Sequence, residues 1–537
     1  MGSWSPTQRT GRPTTLAHTS MIATPHYLAT LAGLHVLRDG GNAIDAAIAA
    51  NAVLTVVYPH QCSLGGDLFC LLWEPYEQRL YALNGSGPAP RGATIDAVQA
   101  AGYATMPQRG PWSVTVPGVV GAWEALRSRF GTQTFERLLA PALHFAEHGF
   151  PVSPLLHAAI AAHQTLLAQH PPAAAQFLPG GRVPAIGDRL VQPAVAQTLR
   201  RISADGAQAF YTGAIAEAIA HTVQQAGGVL TADDLAQYQP EWVEPLRTTY
   251  RGVELVELPP NTHGVTAMQL LHILEGYDVA TLGWGTPALL HRMLEAKKLA
   301  FADRDRYLGD PAYADIPLTR LLDKAYAATL RAQIDQQYAQ PMAQRVEPNG
   351  DTVYLCVVDR EGRAVSLIQS IFSSFGSGLV AEGAGIVLHN RGAAFQLDPA
   401  SPNALAPGKR PLHTLIPAML LRDGQPWVVF GTMGAHAQPQ IHLQLVTNIV
   451  DFGFEPQTAL EAPRWVSHPE PEGEVVRLEE GFPSSVADAL ATLGHRVQWE
   501  PRWSSAMGHA HLIMIDRSRG LLLGASDPRA EGYALGE

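Results

Sequence analysis

Cysteine is scarce in this 537-residue sequence: three residues, Cys62, Cys70 and Cys356. An odd, widely spaced set with no CxxC pair excludes a disulfide framework and a zinc ribbon. Charge is thin as well, at 16% of residues, and its balance is acidic, −11 overall. A nucleic-acid partner wants a basic face, which this composition does not supply. No apolar run reaches the roughly eighteen residues that a membrane span needs. The most apolar stretch, 43–58, is alanine-rich and carries Asp45 and Asn51, so it reads as a buried helix. The segment 1–20 is polar and lacks the apolar centre of a secretory signal. A soluble, cytoplasmic protein with no nucleic-acid or membrane partner is expected.

Familiar site motifs are missing too. There is no GxSxG elbow, no GxxxxGK[ST] phosphate loop, no HExxH helix, and no GxGxxG between a strand and a helix. Among the 21 histidines the best clusters are His157 with His163 and His509 with His511. Neither has ligand spacing beside a carboxylate, so no metal is expected.

What is present is a globular composition, 46% hydrophobic, in a chain long enough for a large core. Residues 1–20 bury little and are expected to form a disordered tail. The next stretch is helical in pattern. A periodic run over 26–41 ends in Gly40–Gly41, and Asn42 can cap the following helix with Asp45 in its first turn. "SLGGDLFCLLWEP" then gives a glycine pair and a short strand-like run. Helical patterns follow at 119–130, 135–148, 193–204, 214–226, 287–307 and 318–339. Near Gln340 the character changes: "QPMAQRVEPNGD" has loop composition. After it come strand-like runs, "TVYLCVVD", "AVSLIQSIF", "GAGIVLHN", "TLIPAMLL", "PWVVFG", "HLIMID" and "GLLLGASD". Periodicity thus gives a helix-rich part followed by a strand-rich part, with no internal repeat.

Thr352 stands where that change falls, just after the loop and at the start of a strand. Threonine is a good strand former, and alone it is an ordinary strand opener. It has a second use. A threonine that becomes the first residue of a chain carries its own base, an α-amine titrating at about 8. A loop that can be cut, followed by a rigid strand, suits that design. Ser370, near the end of the next strand, can bring a second hydroxyl to Thr352, or can be a plain strand serine. "VVFGTMGAHAQPQ" reads strand, glycine turn, helix, with Pro439 in the first helical turn. There the N–H groups of Gly434 and Ala435 can face an oxyanion.

Several blocks resemble the γ-glutamyltranspeptidase family of N-terminal nucleophile hydrolases: "GGNAIDAAIAANAVLTVVYPHQCSLGGD", "DTVYLCVVDREGRAVSL…FGSGLVAEGAGIVLHN", "PGKRPLHTLIPAMLL", "DFGFEPQTALEAPRW" and "GASDPR". The resemblance spans about 21–529. It implies an α+β fold, a four-layer αββα sandwich. It implies self-cleavage at Asp351–Thr352 into a large fragment, 21–351, and a small one, 352–537, held together as a heterodimer. It implies Thr352 as nucleophile, Ser370 as supporting hydroxyl, Gly434 and Ala435 as the oxyanion-hole pair, and no cofactor. The alanine would strain that turn if the position needs a positive φ.

The sequence also departs from that family. "LHNRGAAF" puts Ala394 where an acidic residue should hold a substrate α-amine, and "NGSGPAP" lacks the arginine that should hold its α-carboxylate. His413 and Thr414 replace paired serines, and Phe372 replaces an asparagine. In exchange Arg391, next to Asn390, can clamp a carboxylate with paired hydrogen bonds, or can be a surface or structural ion pair. "NGSG", "NRG" and "GTMG…QPQ" are more similar to the branch with oxamate amidohydrolase and acylase-like members. The expectation is a threonine amidohydrolase for a small carboxylate-bearing amide, with Arg391, Asn390, His413 and Thr414 at the substrate. The alternatives are a glutathione hydrolase or γ-glutamyltransferase, and a non-catalytic binding protein on the same fold.

Overall fold

A computed structural model describes residues 11–341, 350–470 and 473–537. Its centre is explained by the two-residue period of β-strands. In the strand Asp67–Glu74 all eight residues are buried. Leu68, Cys70 and Leu72 point to one core, and Phe69, Leu71 and Trp73 to another. The strand Asp351–Val358 alternates in the same way, Val353, Leu355 and Val357 against Tyr354, Cys356 and Val358. A sheet whose two faces are both covered needs such unbroken apolar runs, and the loss of polar alternation follows from that.

The two cores are the two faces of one seven-stranded sheet. Its order is Ala534–Gly536, Met21–Ala23, Asp351–Val358, Ala364–Phe372, Asp67–Glu74, Arg79–Gly85 and Glu241–Val243. A second seven-stranded sheet runs Thr15–Ala17, Leu521–Ser526, Ala510–Asp516, Gln425–Thr432, Ala418–Arg422, Val253–Glu257 and Leu246–Tyr250. Phe69, Tyr354 and Ile368 of the first meet Val256, Met419, Val429 and Ile513 of the second. Helices such as Ala43–Val57 and Val119–Phe130 cover the outer face of the first sheet. Gly264–Glu275, Pro287–Tyr307 and Gln438–Val450 cover the second. This is the αββα sandwich.

The helix Ala43–Val57 is buried along its whole length, which its alanines permit. Asn42 and Asp45 close a capping box at its start. The expected helices at 119–130, 135–148, 193–204, 214–226 and 287–307 are present, with ends that agree to within a residue. No helix among the described residues is long and apolar enough to cross a membrane.

Three expectations are corrected. Residues 11–20 are not a loose tail; residues 1–10 of that call lie outside the described residues. Arg12 donates to the Gly532 carbonyl at 2.7 Å, and Thr15–Ala17 pairs with Leu522–Gly524. The run 318–339 is two short helices, Leu318–Leu321 and Lys324–Arg331, because Asp323 caps the second. "GAGIVLHN" makes isolated bridges rather than a strand. Most of the loop before Asp351, 342–349, also lies outside the described residues.

Both sheets mix strands from either side of the Asp351–Thr352 bond. A chain cut there should therefore run as one particle on a sizing column and separate into two only in denaturant. Separation under native conditions would contradict the strand order.

Candidate active site

The strands Asp351–Val358 and Ala364–Phe372 pair antiparallel, but their register slips between Asp351 and Val353. Asp351 lies opposite Phe372, and Val353 opposite Gln369. Thr352, buried at 1% exposure, sits at this bulge. Bulges re-aim side chains, and this one brings Ser370 against the bond before Thr352. The Ser370 hydroxyl donates to the Asp351 carbonyl at 2.6 Å and accepts the Phe372 N–H at 2.7 Å. Phe372 reaches that position with φ of +73°, unusual for a bulky residue.

The strand Gln425–Thr432 leads into a 3₁₀ turn, Ala435–Ala437, and then the helix Gln438–Val450, with Pro439 in its first turn. Gly434 has φ of +142° and Ala435 +47°. The second value realises the strain foreseen for alanine, roughly 1–2 kcal/mol for an L-residue in the left-handed region. Neither N–H is taken up by another described part of the chain. Gly434, Ala435, Gly350 and Asp351 line one cavity of about 320 Å³. The structure thus brings Thr352's bond, Ser370 and the two backbone donors together.

Arg391 is buried at 1% exposure, which removes the surface ion pair as an explanation. Its Nη1 donates to Thr414 Oγ1 at 3.2 Å, its guanidinium carbon lies 3.9 Å from the Phe372 ring centre, and Nη2 has no partner. No carboxylate among the described residues lies within ion-pair distance of it. Burial pushes its pKa down to about 9, with the Asp67 charge opposing. His413 donates from Nε2 to Asp67 Oδ2 at 3.0 Å, which leaves Nδ1 as a buried acceptor without a partner. Burial, then the Arg391 charge, holds His413 neutral, its pKa pushed down to about 3. Asn390 is used up structurally: its Oδ1 accepts the Ser373 N–H, and its Nδ2 donates to Gln108 O and Ser373 Oγ.

Three participants escaped the sequence reading. Asp67, fully buried, pairs in register with Ser370 and carries His413; its position in "SLGGD" was the available signal. Arg109 donates to the carbonyls of Ser374 and Gly376 and places its charge near Asp351. His436 follows Ala435 and accepts from Arg304 Nη1 at 3.2 Å on Nδ1, so its ring proton is on Nε2. As for metals, one trio among the described residues converges, His291, Glu295 and His495. It is held by its own hydrogen bonds, His291 to His495 at 2.8 Å and Lys298 to Glu295 at 2.6 Å. His157 bonds the Pro184 carbonyl, and His511 bonds Ser526.

Comparison with known proteins places this arrangement. The profile of the gamma-glutamyltranspeptidase family matches residues 29–537, and the chain belongs to that family. It is 40% identical over 519 residues to the glutathione hydrolase-like YwrD proenzyme of Bacillus subtilis, covering 96% of this chain and 98% of that one. It is also 40% identical over 525 residues to the oxamate amidohydrolase proenzyme of Klebsiella pneumoniae, with the same coverage. The crystal structure of cephalosporin acylase from Bacillus halodurans superposes with a TM-score of 0.92 at 40% identity, covering 100% of this chain and 99% of that one. The fold is that of N-terminal nucleophile hydrolases, and the family is one of self-processing amide hydrolases.

Two tests follow. Ser370→Ala should slow self-cleavage at least about tenfold, because it removes a preorganised donor from the carbonyl under attack; an unchanged rate by intact mass would exclude that role. Burial raises the Asp351 carboxyl to about 6, against Ser374 and Arg109. A raised folded-state pKa means that the ionised form destabilises the uncut fold above that pH, and that the penalty fades on acidification. In a Thr352→Ala background, Asp351→Asn should raise the melting temperature clearly more at about pH 8 than at about pH 4.5. Equal shifts at both would contradict this.

Proposed function

We propose that this chain cleaves itself between Asp351 and Thr352 and then hydrolyses a small amide that carries a carboxylate. The observation that carries the substrate class is Arg391: a buried guanidinium that, among the described residues, has no ion pair and leaves one nitrogen unpartnered. Leaving such a group empty is costly, and a substrate carboxylate answers it. Thr414 fixes its orientation, and Phe372 supports its face.

In the first step Thr352 Oγ attacks the Asp351 carbonyl carbon while the Ser370 hydroxyl holds the carbonyl oxygen. The C–N bond breaks, an ester forms, and water releases Asp351 as a new C-terminus. Thr352 is then left with a free α-amine. In each later cycle that amine takes the Oγ proton, Oγ attacks the substrate amide, and the Gly434 and Ala435 N–H groups receive the oxyanion. The proton passes to the departing amine. Water then attacks the acyl-enzyme, and the acid leaves.

The relative named as an oxamate amidohydrolase supports this reading, and the one named as glutathione hydrolase-like supports a second, γ-glutamyl hydrolysis. Ala394 weighs against the second, since a substrate α-amine would find a methyl group there.

Intact mass should show two fragments meeting at Asp351–Thr352, and one uncut chain for Thr352→Ala. The parent should release ammonia from oxamate faster than it cleaves a γ-glutamyl anilide. Arg391→Met should raise KM for oxamate at least about tenfold, the low end of a lost charge-assisted hydrogen bond. An uncut, folded parent would end the threonine mechanism, and an unchanged KM would end the carboxylate assignment.

A further inference from the structure

A second cavity of about 550 Å³ lies beside the first, and nothing in the cycle above uses it. The two meet at His436, which lines both. Three segments of the proposed site contribute near neighbours to its wall: Arg391 is followed by Ala393 and Ala394, His413 is preceded by Leu412, and Ala435 is followed by His436. The remaining uncharged lining is Ala104, Met106, Phe395 and Leu397 on the apolar side, and the polar Gln99, Thr105, Gln108 and Gln396. The larger apolar ones are not stray surface groups. Met106 and Phe395 belong to a separate small core with Ala89, Ala93, Val98 and Leu405, and Leu397 packs on it. The floor is therefore braced from behind.

Its charge is as informative as its shape. No lysine or arginine is among the lining residues. Of the two acids, Asp305 is held by Arg304 at 2.6 Å, and Asp398 accepts the Ala400 N–H at 3.0 Å. The shared wall is neutral, because burial and then Arg304 hold the His436 ring uncharged. Such a space rejects a second carboxylate, and the part of its wall made by Met106, Phe395, Leu397 and Leu412 rewards apolar surface. A molecule as small as oxamate leaves most of it empty.

We propose that this cavity is a subsite for an uncharged apolar arm of aromatic-ring size, carried by the same substrate whose carboxylate meets Arg391. The proposal rests on the amidohydrolase reading and narrows its substrate class. Ala394 lines it with the smallest of side chains, so a longer one there is the substitution chosen to fill it. The arm belongs either to the amine half or to the acyl half of the amide, and the ligands below separate the two.

The test uses the self-cleaved enzyme with oxamate, oxanilate (phenyl on the amine half) and 2-phenylmalonamate (phenyl on the acyl half). Initial rates give kcat/KM, and ligand-induced thermal shift gives affinity without turnover. At least one phenyl ligand should bind about tenfold or more tighter than oxamate. In Ala394→Trp and Leu397→Trp the ratio of that ligand to oxamate should fall by a similar factor. The half that carries the favoured ring assigns the subsite to leaving group or acyl group. If neither phenyl ligand binds tighter than oxamate, or if both variants weaken all three equally, the subsite is wrong. Failure of the amidohydrolase reading looks different: no amide is turned over, while the thermal-shift ratios still report on the cavity.

Discussion

The hydrogen bond from Ser370 to the Asp351 carbonyl exists because two strands are out of step by one residue. In regular antiparallel pairing, side chains stand away from the backbone of the partner. The bulge at Thr352 breaks that rule at one point, and there a serine hydroxyl reaches a peptide carbonyl. The rest of the centre is arranged around this defect. Asp67 on the next strand pairs with Ser370 and carries His413. Phe372, forced into a positive φ by the same slip, offers its ring to Arg391. One register shift thus links the Asp351–Thr352 bond to Asp67, His413 and Arg391.

The electrostatics have a related logic. A buried arginine usually has a carboxylate against it, because an unpaired charge in a core is costly. Here the nearest counter-charge, Asp67, is engaged by His413 and reaches Arg391 only through space. Two imidazoles face Asp67, His413 at 3.0 Å and His389 at 3.4 Å, and burial holds the His413 ring neutral. The arginine stays charged, since even a pKa lowered to about 9 leaves it protonated at neutral pH. It also stays unsatisfied, which a direct ion pair would have prevented. Thr414, one residue on, fixes the guanidinium by a neutral hydroxyl for the same reason.

Much of this was legible in the sequence, and the exceptions have physical causes. Local signals were reliable: Asn42 and Asp45 mark a helix start, and Pro439 marks the helix after the glycine turn. Asp323 inside the 318–339 run outweighed helical periodicity, since an aspartate caps a new helix better than it continues an old one. Residues 11–20 looked too polar to order, yet their backbone is recruited by strand Leu521–Ser526, and composition does not report main-chain pairing. The Asp67–His413 contact spans 346 positions, so spacing carries no trace of it. The second cavity is formed by segments around 104, 305, 394 and 412, and only the fold brings these together.

The strain at Ala435 must be held in place by something, because an alanine with positive φ relaxes unless its surroundings forbid it. Two sequence blocks with no role in the chemistry supply the restraint. Arg464, from "EAPRW", donates to the carbonyls of Met507 and Gly508 at 3.1 and 2.9 Å and to Asp527 at 2.6 Å. Asp527, from "GASDPR", receives the Ala510 N–H at 2.8 Å and is joined by Arg529, which also grips Glu479. The segment 507–510 is therefore fixed from behind by a buried ionic quartet. From the front it holds the turn that carries Gly434 and Ala435: the His509 carbonyl accepts the Met433 N–H at 2.9 Å. Gly508 allows this closeness, since a Cβ there would lie 2.5 Å from the Met433 carbonyl oxygen. A buried ionic network is weak evidence for stability as such. It is well suited to setting a turn to a few tenths of an ångström, the tolerance that the proposed role of the Gly434 and Ala435 N–H groups demands.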